Sequence, residues 1–137
     1  MRDRRTNLYK MLGNTGLLLA IMLLLAYPRM SYSLDTSRVE ILNSGYTAER
    51  GIGDVVIVWV TGRVKHTLSF PVMIKLETTV YDRSGGFLGS YSFFIADPIP
   101  PNIPRGFHNV ALGHNLPAGT LVGRVDIQVI RVSQVSN

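Results

Sequence analysis

The chain has 137 residues, no cysteine and a formal net charge of +5. This length supports one domain with a single core, and the lack of cysteine excludes a fold held together by disulfides. Five of the 14 basic residues but only one of the nine acidic residues precede Leu34, so the rest of the chain carries a net charge of +1. The positive charge of the whole chain is therefore no sign of nucleic-acid or anionic-lipid binding.

The first segment has the pattern of an export leader. A basic start, residues 1–5, precedes residues 11–27, which contain no charged side chain. Small residues around Ser33 favour cleavage there, whereas residues 11–27 reach the ~17-residue lower bound for a transmembrane helix. The sequence therefore predicts residues 1–33 as a signal peptide or an N-terminal membrane anchor that contacts the membrane through residues 11–27. Residues 34–137 are then periplasmic or extracellular, or held at the membrane on its outer side.

The segment after the leader predicts one short strand and a loop. Residues 39–42 are rich in apolar side chains and predict a strand, and residues 43–45 are a cluster of turn formers. Residues 46–54 are polar and contain Gly51 and Gly53, which indicates a loop. The glycine spacing does not indicate a phosphate site, because a strand rather than a helix follows.

Two long strands are predicted in the middle of the chain. Residues 55–60 form an unbroken apolar run, typical of a strand covered on both faces, and Trp59 within it is predicted to anchor the core. In residues 72–81 apolar and polar side chains alternate, as in a strand with one face in the core. The glycines at 85 and 86 predict a tight turn, after which residues 87–95 fold back antiparallel.

A proline-rich stretch, residues 96–106, comes next. Its four prolines cannot donate hydrogen bonds to a sheet, which predicts an extended surface connection. Two P-x-x-P spacings leave two interpretations open, a stiff link between sheets or a docking segment for an aromatic groove. If the segment docks, the predicted partner-binding residues are Pro98, Ile99, Pro100, Pro101, Ile103 and Pro104.

The last third of the chain predicts two further strands. Residues 107–112 form a short one and residues 121–132 a long one, with Val125, Ile127 and Val129 on a shared face. The number of strands and the spacing of turns predict an all-β fold. We expect an antiparallel immunoglobulin-like β-sandwich of about seven strands, preceded by an N-terminal hydrophobic helix.

Turn and strand motifs in this region resemble a known family. They are the run 60–66 around Gly62, the strand 76–82 that ends in Tyr81-Asp82, and the turn 85–89. This pattern resembles the FxLYD family of small extracytoplasmic β-sandwich domains and the related LEA type 2 domains. His66 departs from it, because the family usually carries Asn there. The resemblance implies a sandwich without a common catalytic site, and the predicted structural residues are Trp59, Gly62, Tyr81, Asp82, Gly85 and Gly86.

The side chains that could do chemistry do not form a catalytic pattern. His66, His108 and His114 could gather on a metal ion, but no carboxylate lies at a recognised metal spacing, and surface or loop positions explain them more simply. No serine lies in a nucleophile elbow. Glu77 is predicted to face solvent and Asp82 to belong to a turn. We therefore expect no enzyme activity, no metal and no cofactor.

Nucleic acid is not an expected partner either. Tyr81, Tyr91 and Phe93 lie on predicted strands, but the charges around them are mixed and Phe93 is predicted to lie in the core. An exported domain with neither cysteine nor an Asn-x-Ser/Thr acceptor also favours a prokaryotic source.

Three functional hypotheses remain open. The first is a non-catalytic exported interaction or structural module that contributes an edge strand or the proline segment to a protein partner in a surface or envelope assembly. The second is a pilin-like filament subunit whose N-terminal helix packs in the filament, which Pro28 disfavours because it interrupts the apolar segment. The third is a carrier of an apolar ligand between the sheets, which rests on analogy of fold alone.

Overall fold

The computed structural model describes residues 33–135, and this part of the chain is all-β apart from a 3-10 turn at Thr36–Arg38. The predicted leader, with its hydrophobic helix, lies outside the described residues. Between residues 33 and 135, no helix has the length and apolar character needed to cross a membrane. The strands are β1 (Val39–Arg50), β2 (Val56–His66), β3 (Val72–Asp82), β4 (Phe87–Phe94), β5 (Arg105–Val110) and β6 (Val122–Gln134).

These strands form two antiparallel, three-stranded sheets, which confirms the predicted all-β class. The first sheet has the order β1-β2-β5 and the second the order β4-β3-β6, so β2 and β3 are the central strands. Residues 33–135 thus hold six strands rather than about seven. Buried side chains from both sheets form one core, made of Val58, Val60, Val64, Val72, Ile74, Leu76, Val80, Phe93, Ile95, Ile99, Phe107, Ala111, Leu112, Leu116 and Val132.

The alternation predicted for β3 is confirmed. Val72, Ile74, Leu76, Thr78 and Val80 are all buried, while the residues between them are only partly covered. Because β3 is central in its sheet and one face meets the other sheet, its period-two pattern is the clearest in the chain. Its pairing with β4 from Phe87 onwards also agrees with the predicted hairpin.

β1 is three times as long as the predicted strand. The turn predicted at residues 43–45 and the loop predicted from residue 46 are wrong up to Arg50, because β1 continues to that residue, paired with β2. Its polar and small residues are tolerated in a strand since every side chain from Leu42 onwards is exposed. A register shift between Ile41 and Asn43 is all that marks the predicted turn.

β2 is covered on one face and not on both. Val58 and Val60 are buried, whereas Trp59 between them is partly exposed and lies outside the core. The prediction that Trp59 anchors the core is therefore wrong. Its ring stacks on His108, with the ring centroids 5.0 Å apart and the planes 8° from parallel. An apolar run cannot by itself reveal which of its side chains point outward, and here the pleat decides it.

The β3–β4 turn is organised by the carboxylate of Asp82. Its Oδ1 accepts hydrogen bonds from the Ser84 hydroxyl at 2.6 Å, from the Ser84 N–H at 2.8 Å and from the Gly86 N–H at 2.8 Å. Gly85 takes a φ of +88°, a left-handed conformation that glycine adopts without steric cost. The hydrogen bond from the Ser84 side chain, followed by that from the Gly86 backbone, lowers the pKa of Asp82 below its ordinary value.

We expect the stability of the fold to depend on pH through this carboxylate. A pKa that is lower in the folded state means that Asp82 stabilises the fold above the unfolded pKa of about 3.9, and that this contribution is lost as pH falls through the lower folded value. The difference in thermal midpoint between the wild type and Asp82→Asn should therefore be largest near neutral pH and shrink below about pH 4. Ser84→Ala, which keeps the backbone donors, should show a smaller dependence, and a difference that is constant across pH would contradict the assignment.

The two ends of the sheets carry different connections between the strands. At one end, here named the loop end, the β1–β2 turn, Arg83 of the β3–β4 turn and residues 118–122 surround one cleft. At the other, the base end, Val39 of β1 pairs with His66 of β2. Leu34 also lies at the base end, where its N–H donates to the Val132 carbonyl at 2.8 Å. An 11-residue strand such as β2 separates the ends by ~35 Å.

Candidate interaction surfaces

The proline-rich segment is tied to both sheets. Ile99, predicted to be exposed and to contact a partner, is fully buried in the core, so that prediction is wrong. Its N–H donates to the Val72 carbonyl at 2.8 Å, and its carbonyl accepts from the Val72 N–H at 3.1 Å. Of the other predicted docking residues, Pro100 and Pro101 are partly buried, whereas Pro98, Ile103 and Pro104 are exposed. The segment therefore connects the sheets and offers only separate exposed side chains.

His66 holds this segment from the side of β2. The prediction of a surface or loop position is wrong, because His66 has no exposed surface. Its Nε2 lies 2.7 Å from the Ile99 carbonyl, which can only accept, so Nε2 carries the proton and donates. Its Nδ1 is buried without a hydrogen-bond partner. The backbone carbonyl of His66 also accepts from the Asn102 N–H at 2.9 Å, so both parts of the residue fasten the segment.

The remaining candidates for chemistry do not converge within the described residues. Residues 33–135 hold no group of three or more His, Asp or Glu side chains that could bind a metal ion together. Glu77 accepts a hydrogen bond from the Gln128 amide at 2.9 Å on the outer face of the second sheet. His108 and His114 are both exposed. These side chains therefore do not form a common site.

The aromatic side chains divide between the core and the surface. Phe93 is 7% exposed and lies in the core, as predicted. Tyr81 packs edge-on against Phe87, and the Arg124 guanidinium lies over the Tyr81 ring, 4.3 Å from its centroid. This group belongs to the loop end of the second sheet.

β1 leaves one edge of the first sheet open. Within residues 33–135 its strand partner is β2 alone. Tyr46 pairs with the buried Val60 and so shares its face, yet 38% of Tyr46 is exposed. Both faces of β1 are thus open from Leu42 onwards, and one row of its backbone N–H and C=O groups is available to another strand.

The middle of this edge lacks the usual features that block strand addition. Natural edge strands are kept from pairing by shortness, proline, charged side chains or β-bulges. Residues 43–48 contain neither a charge nor a proline, and the register shift of β1 lies just before them, between Ile41 and Asn43. At the C-terminal end Arg50 is ion-paired with Asp54. The opposite edge of the same sheet, β5, has only six residues against twelve in β1. β1 is therefore the edge of this sheet with the longest accessible backbone.

The loop end exposes large apolar side chains that the sequence analysis did not single out. Ile52 is fully exposed, Phe87 is 66% exposed and Leu121 is 55% exposed. Leu121 also lines the cleft at this end, which has a volume of about 530 Å³ and a mixed lining that includes Val56, Arg50 and Arg83. The sequence carries one signal of this exposed apolar surface, namely Ile52, because an isoleucine between two glycines in a turn has no core to enter.

Comparisons with known proteins identify no relative of this chain. No family model matches it, and no curated protein or solved structure is similar enough to match. The resemblance to FxLYD and LEA type 2 domains therefore stays a prediction from motifs.

Proposed function

We propose that this protein is a non-catalytic interaction or structural module that binds a protein partner by adding a strand of the partner to the open edge of β1. The observation that carries the proposal is the run of residues 43–48, which is uncharged, free of proline and exposed on both faces. Addition of a strand to such an edge supplies affinity through main-chain hydrogen bonds, and the side chains facing alternate sides supply specificity.

The edge is a better contact than the proline segment for a physical reason. A groove that binds P-x-x-P motifs needs prolines on one free surface of an extended segment. Here Pro100 and Pro101 are partly covered, and Ile99 between the exposed positions is locked into the core. Freeing the segment would break its hydrogen bonds to Val72 and His66. Binding at β1 requires no such rearrangement.

The sequence supports a proposal about where the module acts. We propose that the domain is exported and acts at or outside the cytoplasmic membrane, in a surface or envelope assembly, because a basic start and the uncharged residues 11–27 precede it. We also propose that the two sheets belong to an immunoglobulin-like sandwich of the FxLYD type. That assignment is supported by the motifs around Gly62 and Asp82 and by the antiparallel order of the sheets.

A cross-linking experiment in the native host tests the proposal. The chain has no cysteine, so Thr47→Cys on β1 provides a single site for a short thiol-reactive cross-linker, and Thr61→Cys on the central strand β2 is its matched control. We expect a defined adduct from Thr47→Cys and none from Thr61→Cys. Adding Ala48→Lys, which places a charge on the open edge, should abolish the adduct.

Two results would contradict the proposal. One is equal cross-linking from both cysteines, which would indicate random contact. The other is an adduct that Ala48→Lys leaves unchanged, which would show that the neighbouring protein does not pair with the β1 backbone. Thr61→Lys, on a strand whose two edges are already paired, should have no effect on the adduct.

A further inference from the structure

The cleft at the loop end adjoins the open edge of β1. Ala48, Glu49 and Arg50 are the last residues of β1, and all three line the cleft. Its lining continues into Val56 at the start of β2 and includes residues 118–122, which lead into β6 of the second sheet. The cleft is therefore bounded by both sheets, and part of its wall is the strand whose backbone is open to a partner.

Ala48 lies on the face of β1 that meets the core. It pairs with the buried Val58, and directly paired residues of neighbouring strands project on the same face of a sheet. Ala48 is nevertheless exposed. Its neighbours on this face are Tyr46 and Arg50, because side chains alternate along a strand. A methyl group between two long side chains leaves room on this face, directly beside the cleft.

The charges that line the cleft are balanced. Glu49 and Asp54 contribute two carboxylates, and Arg50 and Arg83 contribute two guanidinium groups. Arg50 is also ion-paired with Asp54. Removing a charged group from water is costly unless an opposite charge pairs with it, and this lining has no excess of either sign. The cleft therefore favours an uncharged occupant.

The cleft also contains apolar surface that the core leaves partly uncovered. Val56 and Val122 line the cleft and pack against the core, yet each is only partly buried. An apolar side chain placed against them would remove further apolar area from water, which is favourable. The uncharged occupant is therefore expected to be apolar.

We propose that the strand which adds to β1 also fills this cleft, with an uncharged apolar side chain at the position opposite Ala48. This inference rests on the proposed function and states the chemistry that the partner needs at that site. Opposite residues of paired strands project on the same face, so the partner residue opposite Ala48 points to the side on which Ala48 leaves room. The two partner residues next to it project on the outer face of the sheet and are not restricted by the cleft.

A strand explains the site better than a small apolar ligand does. A ligand in the cleft would cover Val56 and Val122 but would make no use of the open backbone of β1. A single strand can pair with that backbone and cover the apolar lining at the same time, because residues 48–50 belong both to the edge and to the cleft.

A second cross-linking site tests this inference in the native host. Ala118→Cys places the single thiol of the chain in the cleft, whereas His114→Cys places it in the same connection between β5 and β6 but outside the cleft lining. With the cross-linker used for Thr47→Cys, we expect Ala118→Cys to give an adduct of the same added mass and His114→Cys to give none. Mass-spectrometric mapping of the two adducts should identify one and the same partner segment.

Filling the space beside Ala48 tests the chemistry of the contact. In the Ala118→Cys background, Ala48→Phe should lower the yield of adduct about tenfold, because the added ring occupies the room for the partner side chain. Thr61→Phe adds the same ring to an exposed position on the outer face of β2 and should leave the yield unchanged. Thermal unfolding followed by circular dichroism verifies that both variants are folded.

The outcomes separate this inference from the proposed function. If neither Thr47→Cys nor Ala118→Cys gives an adduct, both proposals fail. An adduct from Thr47→Cys alone would leave strand addition standing and overturn the filling of the cleft. An Ala118→Cys adduct of a different mass, or one that Ala48→Phe leaves unchanged, would show that the edge and the cleft do not bind the same segment. An apolar small molecule released by denaturing the purified chain, and absent from Ala48→Phe, would assign the cleft to a ligand instead.

Discussion

His66→Ala should lower the free energy of unfolding by about 2 to 4 kcal/mol, measured by chemical denaturation. The substitution leaves a cavity where a fully buried ring stood and removes the hydrogen bond from Nε2 to the Ile99 carbonyl. That carbonyl keeps its bond from the Val72 N–H, so the loss stays below that of a wholly orphaned group. Amide hydrogen exchange at Ile99 and Asn102 should also accelerate, because the proline-rich segment is then held on one side only.

Two further variants separate the causes of this loss. His66→Leu restores most of the volume and removes the unpartnered Nδ1, so it should cost about 1 kcal/mol less than His66→Ala. His114→Ala alters an exposed histidine and should stay within about 0.5 kcal/mol of the wild type. A loss below about 1 kcal/mol for His66→Ala would show that the buried ring is not needed to hold the segment.

Gly62→Ala should cost about 3 kcal/mol, the upper part of the range for overpacking. A Cβ at this position would lie 2.5 Å from the Asn43 carbonyl oxygen and 2.5 Å from the Phe107 ring. One neighbour is the backbone of β1 and the other is a core side chain of β5, and Gly62 lies on the central strand between them. Relief of the contact therefore requires the first sheet to open or Phe107 to leave its place. Urea denaturation of the two proteins measures the difference.

Gly45→Ala is the matched control, because Gly45 is also a strand glycine, on β1, but a Cβ there meets nothing within 4 Å. We expect it to be neutral or to stabilise slightly, since alanine reduces the freedom of the unfolded chain. Phe107→Leu added to Gly62→Ala should recover only part of the loss, as the Asn43 carbonyl stays in place. Equal effects of the two glycine substitutions would argue against close packing at Gly62.

Some predictions for the candidate sites agree with the structure and others do not, and each outcome has a physical reason. The proline-rich segment connects the two sheets, in agreement with one of its two interpretations, but it is not an extended surface crossing, because residues 96–97 bend, residues 101–102 turn and Ile99 is buried. Burial of Ile99 within it could not be predicted, since burial depends on Val72 and His66, which are distant in sequence. The sequence predicts an edge strand as one possible contact with a partner. It does not predict that this edge is β1, because residues 43–50 have turn-like composition and become a strand only through pairing with β2.

The sequence by itself determined the all-β class, the period of β3 and the turn at Asp82–Gly86. These features follow from local chemistry, namely alternation along a pleated strand and the freedom of glycine in a tight turn. Only the tertiary structure decided which face of β2 is buried, that His66 and Thr78 lie inside, and that Trp59 faces outward. The Thr78 hydroxyl, 2.7 Å from the Ala111 carbonyl, is tolerated in the core because it finds that acceptor. Such contacts join residues far apart in the chain, and no local pattern encodes them.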